Sequence, residues 1–225
     1  MPLCGYYSWS WTSGGSVGPP GANCGIAFSG YADVGLALAS FGGGTLAVPA
    51  LLALGGGNEA GAFGALPGTS DLERVRDTGY AGVVFDVERV EGPAVVTVPA
   101  FAKAFAAAKE LGLFVVVTTS HSAPVNTDDP ADAVALVKAW AADENIDVIS
   151  PQLYTTGTEP EPQFDETWAC KGQGCTWEVF RHARAHFAPS VVDESHYPAV
   201  KAYFAATYGI HTDGFIQWAQ RAAQH

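Results

Sequence analysis

Positive charge is scarce in this chain. Its 225 residues carry 11 Lys and Arg against 23 Asp and Glu, for a net charge of −12, with no basic run. Nucleic acid and anionic membrane surfaces, which call for a cationic footprint, are therefore excluded as partners. A neutral ligand would meet no repulsion from the acidic surface. Long apolar runs are also missing, since none approaches the roughly 18 residues that span a bilayer. No secretory leader is recognisable, and Met1, the sole methionine, stands almost directly before a strand-like segment. We read it as a start codon added to a mature secreted chain. Cysteine is limited to four residues. Their spacings fit no CxxC-type zinc pattern, so two disulfides are the better expectation than a metal site. Cys170 and Cys175 flank the short flexible Lys-Gly-Gln-Gly stretch, and Cys4 and Cys24 would then pair by elimination. A dinucleotide fingerprint is lacking too. Gly55-Gly56-Gly57 does not have GxGxxG spacing and opens no convincing helix, so no nucleotide cofactor is expected.

What the chain does have is apolar bulk, 48% hydrophobic residues, enough for one sizeable core. Periodicity and punctuation give a strand-then-helix rhythm. Strand-like segments fall at 3–10, 33–41, 49–56, 80–88, 113–120, 146–155, 189–194 and 213–219. Helical patterns fall at 70–78, 98–111, 130–143, 177–187 and 197–208, the third opened by Asp129-Pro130. About eight parallel-type strands alternating with helices predict an α/β fold. The expected form is a single compact (β/α)8 TIM barrel over residues 1–225, with short or missing helices in the N-terminal half. Gly42–Val48 is too short for a crossover helix, and an open doubly wound sheet is the main rival.

The most informative stretch is 80–88. The apolar run Gly82–Phe85 ends in two carboxylates, Asp86 and Glu88, which an extended strand would point to one side. Each raises the cost of ionising the other, which suits general acid/base chemistry, although such a pair can also simply cap a loop. In a barrel of this kind chemistry sits at the C-terminal strand ends. Those ends would present Tyr6, Tyr7, Trp9 and Trp11, then Gly55, Gly56, Gly57 and Asn58, then Asp86 and Glu88. Further round come Ser120–Pro124, Gln152 and Tyr154, Asp193 and Glu194, and Gln217 and Trp218. Aromatic faces for sugar rings, with amides and acids for hydroxyls and acetamides, make a carbohydrate cleft.

This ordered set resembles glycoside hydrolase family 18, the chitinases and endo-β-N-acetylglucosaminidases. The family's fourth-strand signature D-G-x-D-x-D-x-E falls on Ala81–Glu88, keeping Gly82, Asp86 and Glu88. Gly5-Tyr6-Tyr7 followed by Trp9 resembles its first strand, and Leu51–Gly57 its third, with Ala53 in place of a serine. Gln152-Leu153-Tyr154 is similar to the sixth-strand Q-x-Y of plant-type members, and Phe215–Trp218 to the last strand. The resemblance implies retaining, substrate-assisted hydrolysis of β-1,4-linked N-acetylglucosamine glycans, either chitin or an N-glycan core. Glu88 would be the proton donor, Asp86 would orient the acetamide N–H, and Tyr154 would donate to the acetamide oxygen. Gln152 would bond the sugar and Trp218 would floor it, with Tyr7, Trp9, Gly56 and Asn58 as further substrate contacts. It implies no cofactor and no metal, and the expected state is a secreted monomer. Ala81 and Val84 replace the first two aspartates of the signature. Without an acid at Val84, Asp86 is expected to stay more permanently charged. Two other readings remain: a non-catalytic carbohydrate-binding lectin on the same barrel, or a two-carboxylate glycosidase using Asp193 or Glu194 beside Glu88.

Other residues carry less. His121 follows the fifth strand and is expected to bond loop backbone. His182 and His186 have i, i+4 spacing but no H-E-x-x-H pattern, which favours a surface face. Ser120 and Ser122 beside His121 lack a G-x-S-x-G elbow.

Overall fold

The computed structural model describes residues 1–12, 16–41, 46, 48–124 and 129–221. The first half contains strands β1 (Leu3–Trp9), β2 (Cys24–Phe28), β3 (Ala50–Gly55), β4 (Gly82–Asp86) and β5 (Phe114–Thr118). Helices α1 (Val34–Ser40), α2 (Thr69–Asp77) and α3 (Ala94–Glu110) lie between them. There follow α4 (Pro130–Ala142), β6 (Val148–Ile149), α5 (Trp168–Gly172), β7 (His186–Phe187), β8 (Ser190–Val191), α6 (Tyr197–Tyr208) and β9 (Gly214–Gln217). The nine strands form one sheet in the order β7-β6-β5-β4-β3-β2-β1-β9-β8, and every pair is parallel.

The sheet curls. Segment 186–191 bonds to β6 through Ala188 N–H on Ile149 O (3.1 Å), and to the stretch after β6 through Leu153 N–H on Ser190 O (2.9 Å). Its other edge receives Asp213 N–H on Phe187 O (2.8 Å) and Ile216 N–H on Pro189 O (3.1 Å). Strand pleating then sorts side chains into two cores. Tyr7, Ile26, Leu51, Ala53, Val84, Val116, Val148 and Ile216 pack together inside the curl. Their neighbours Leu52, Leu54, Val83, Phe85, Val115 and Val117 pack outward against helical Leu72, Phe101, Phe105, Leu136 and Val137. Burial on both faces is why β4 and β5 read as unbroken apolar runs.

Local structure departs from the sequence expectation at several points. Residues 33–41 form α1, not a strand, because the Asp33 carboxylate accepts from Leu36 N–H (2.8 Å) and caps a turn that buries Val34 and Ala37. The second strand lies upstream at Cys24–Phe28. Of the Gly42–Val48 connection only residues 46 and 48 are described. The predicted helix 177–187 is a 3-10 turn, Trp177–Phe180, followed by strand β7. There the Trp177 indole N–H donates to Phe164 O (2.8 Å), pinning the ring in the core instead of continuing a helix. The predicted strand 146–155 is regular only at Val148–Ile149. Asp129, with Pro130 next to it, caps α4 as expected, accepting from Ala131 N–H at 2.8 Å.

The disulfide Cys170–Cys175 is present, with Cα atoms 4.7 Å apart, closing the turn after α5. Cys4 and Cys24 are free thiols, which corrects the pairing by elimination. The β1–β2 register sets Gly5, not Cys4, opposite Cys24. Cys24 packs in the inner core with Leu3 and Tyr7, and strand alternation turns the intervening Cys4 to the other side, near Pro20 O. Burial pushes the Cys24 thiol up to about 12, which keeps it protonated and unreactive. Thiol titration of the unfolded, unreduced protein is expected to find two thiols, rising to four after reduction. A six-residue loop predicts that reduction lowers stability by about 2 kcal/mol, measurable by urea unfolding.

Candidate functional site

Parallel pairing places all the strand C-termini on one side, and the carboxylate pair lies there. Asp86 ends β4 and is fully buried. Val87 N–H continues the ladder to Thr118 O (2.9 Å), which keeps Glu88 on the same face as Asp86. One group joins the two acids. The Gln152 side-chain amide donates to Asp86 Oδ1 (3.2 Å) and to Glu88 Oε1 (3.1 Å). Ser120 Oγ, at the end of β5, donates to Glu88 Oε2 (3.3 Å). Asp86 Oδ2 is shut away from water with no hydrogen-bond partner.

The glycine triplet shapes this corner. Gly55 has φ +102 and Gly56 φ +135, values that favour glycine. Gly55 N–H bonds Tyr31 O (2.9 Å) and Gly56 N–H bonds Asp86 O (3.0 Å), so the chain crosses directly over the end of β4. A Cβ on Gly55 would overlap the Asp86 carbonyl oxygen, and one on Gly57 would fall 2.7 Å from Glu88 Oε2. The triplet is thus a close backbone approach to both acids.

A cavity of about 250 Å³ opens beside Glu88, lined also by Gly57, Arg89, Ser120, His121, Gln152, Tyr154 and Thr155. Three of the expected site residues, Glu88, Gln152 and Tyr154, meet there, with Gly57 beside them. The others stand elsewhere. Tyr7 is fully buried as a neighbour of Asp86 and offers no surface to a ligand. Gly56 spends its N–H on Asp86, and Asn58 accepts from Gly61 N–H (2.9 Å) to cap the 59–61 turn. Trp218 is the hub of an aromatic cluster, with ring centroids 4.9 Å from Trp9, 5.2 Å from Tyr7 and 5.8 Å from Tyr154. Trp9 stacks in turn on exposed Trp11 (5.5 Å). The turn at Gly157 packs on the Trp218 indole N–H edge. That turn is held by the Glu159 carboxylate, which accepts from the N–H groups of Thr155, Thr156, Gly157 and Thr158.

Asp193 and Glu194 are committed to structure. Asp193 caps a turn through Ser195 N–H (3.0 Å) and Glu194 pairs with Arg221 (2.7 Å). His186 pairs with Asp213 (3.1 Å) and shares no helix with His182. His121 Nε2 meets Thr155 Oγ1 at 3.3 Å. Arg89 and Thr155 line the cavity and were not singled out from the sequence. Arg89 was detectable only as the residue after Glu88, and Thr155 only as the residue after Tyr154.

Electrostatics correct one expectation. Burial first, and the Glu88 charge second, push Asp86 well above the usual carboxylate range, against the expected permanent charge. Burial chiefly, with nearby Tyr7, Asp86 and Glu88 adding, likewise raises Tyr154, whose hydroxyl therefore stays a donor. Burial lowers His121, against the pull of Asp165 and Glu159. At Glu159 burial acts upward, but the backbone N–H groups of Thr156 and Thr155 outweigh it and bring the carboxyl down to about 2.

These shifts have opposite consequences for folding. Asp86 binds its proton more tightly folded than unfolded, so its contribution is full below the unfolded value of about 3.9. It is lost as pH rises through the elevated folded value. Glu159 contributes above the unfolded carboxyl range and loses that contribution as pH falls toward about 2. Asp86→Asn is therefore expected to flatten the fall of Tm on the alkaline side of the carboxylate range, measured by thermal scans across pH.

Comparison with known proteins finds no protein-family model that matches the chain and no curated protein that matches its sequence. Fold and site together define a barrel-like α/β protein with an amide-bridged carboxylate pair at the C-terminal ends of its strands.

Proposed function

We propose that this protein is a retaining glycoside hydrolase that cleaves β-1,4-linked N-acetylglucosamine glycans with help from the substrate's own 2-acetamido group. The observation that carries the reading is one amide, Gln152, set between Asp86 and Glu88 at 3.2 and 3.1 Å beside a cavity. A buried, proton-holding acid next to an acid that reaches a cavity is the asymmetry that acid catalysis needs.

In this reading the sheet is a (β/α)8 barrel, with 186–191 as its seventh strand and β9 as its eighth. The pair enters the reaction with its proton on Asp86. A substrate acetamide N–H displaces Gln152 from Asp86, favours the ionised form there, and the proton passes to Glu88. Glu88 protonates the glycosidic oxygen as the C1–O bond breaks, and the acetamide oxygen closes on C1 to give an oxazolinium ion. Asp86 carboxylate balances the charge on its N–H while the Tyr154 hydroxyl bonds the acetamide oxygen. Glu88 then takes a proton from water as it attacks C1, restoring the acetamide and keeping the anomeric configuration. The Cys170–Cys175 bridge fits secretion into an oxidising compartment, and a monomer on an open groove suits a polymer.

Val84, where the resembled signature has an acid, favours the second reading, a lectin that retains the carboxylates for recognition. Release of reducing ends from chitooligosaccharides and from high-mannose glycopeptides decides between them. Hydrolysis of either supports the enzyme. Binding by calorimetry without hydrolysis assigns the lectin.

A further inference from the structure

Two cavity residues take no part in the proton transfers above. Arg89 follows the proton donor directly and is, among the described residues lining the cavity, the one with a fixed positive charge. Its Nε is shut away from water without a hydrogen-bond partner. Among the described residues its ion contact is a 3.8 Å approach of Nη2 to exposed Glu91, too long for a charge-assisted hydrogen bond. His121 stands on the same cavity with φ +46, the one positive φ outside glycine among the described residues. Such backbone is uncommon and clusters at ligand-holding sites. Thr155 Oγ1, which His121 contacts, is itself fixed by Gln163 Oε1 at 2.7 Å.

The Arg89 side chain is 41% exposed, so its Nη groups are open to a negative group in the cavity of a chain with net charge −12. The planar fork of the guanidinium matches a carboxylate. Arg89 and Glu88 share one small cavity, so that carboxylate belongs to the sugar next to the bond Glu88 protonates. We propose that the Arg89 side of the cavity is a subsite for a carboxylate-bearing sugar, so that the substrate alternates N-acetylglucosamine with an acidic sugar. This rests on the glycan reading above. The acid can be a lactyl ether, as on peptidoglycan strands, or a uronic acid, as in N-acetylglucosamine–glucuronate polymers.

Calorimetry on Glu88→Gln protein, with and without Arg89→Gln, tests it against three probes of equal length. These are neutral chitooligosaccharides, lactyl-bearing oligomers and uronate-bearing oligomers. One acidic series is expected to bind about tenfold or more tighter than the neutral one, as a charge-assisted contact provides. Which series does so identifies the source of the carboxylate. The advantage should vanish with Arg89→Gln, survive in part with Arg89→Lys, and shrink as salt rises. Equal binding of all three probes, or a preference that survives Arg89→Gln, overturns the subsite alone. Failure of all three to bind overturns both the subsite and the glycan reading. Matching Tm values for the variants confirm that each is folded.

Discussion

Glu88→Gln is expected to lower kcat/KM on N-acetylglucosamine oligomers by roughly 10²- to 10⁴-fold, the range for loss of a general acid. The substitution keeps size and shape, so the close approach of Gly57 is undisturbed. The new side-chain carbonyl can still accept from Gln152, and what is removed is the carboxylate that takes up a proton and gives it back. Stability is expected to change by about 0.5–1.5 kcal/mol, because the hydrogen bond from Ser120 Oγ loses its acceptor. Oligosaccharide binding should persist, so the loss falls on kcat. Steady-state kinetics alongside a thermal scan separate this outcome from simple misfolding. Activity left intact would place the proton donor elsewhere.

The second large effect is structural. Gly55→Ala puts a methyl group where the Asp86 carbonyl oxygen and the Phe63 ring already lie, at a φ of +102. Backbone strain of about 1–3 kcal/mol adds to overpacking of about 1–3 kcal/mol. The sum, about 2–6 kcal/mol, corresponds to a drop in Tm of roughly 4–24 °C for a chain of this size. Activity should fall further than stability, because Asp86 cannot retreat without leaving Gln152, and an ångström of misplacement can cost about 10²-fold. Gly79→Ala is the control: its φ is +98, yet a Cβ there meets nothing within 4 Å. It should cost only the strain, with activity unchanged.

How much of this was legible depended on whether a residue's partners were near in sequence. Strand β4 could be read because both its faces are buried, which leaves an uninterrupted apolar run punctuated by acids. Helix α1 could not, since Leu-Ala-Leu-Ala alternates like a strand, and the Asp33 cap decides the matter only once the first turn forms. The position of Tyr7 needed the pleat. It lies at the expected strand end, but the curl of the sheet sends it into the inner core under Asp86. For Cys4 and Cys24 the register, invisible in spacing, sets adjacent thiols on opposite faces. The upward shift of the Asp86 carboxyl is hidden from the sequence for a related reason. Its missing neighbour at Val84 was visible in sequence, whereas its complete burial came from strands far along the chain. Glu88, Gln152 and Tyr154 could be placed together because each ends a strand, and parallel strands bring their ends to one rim.

The proposed substrate assistance would tie these parts into one mechanism, and the anomeric form of the first product tests it most directly. Proton NMR of chitooligosaccharide hydrolysis, recorded before mutarotation, is predicted to show the β-anomer at the newly formed reducing end. An initial α-anomer, or equal cleavage of matched oligomers lacking the 2-acetamido group, would contradict the account.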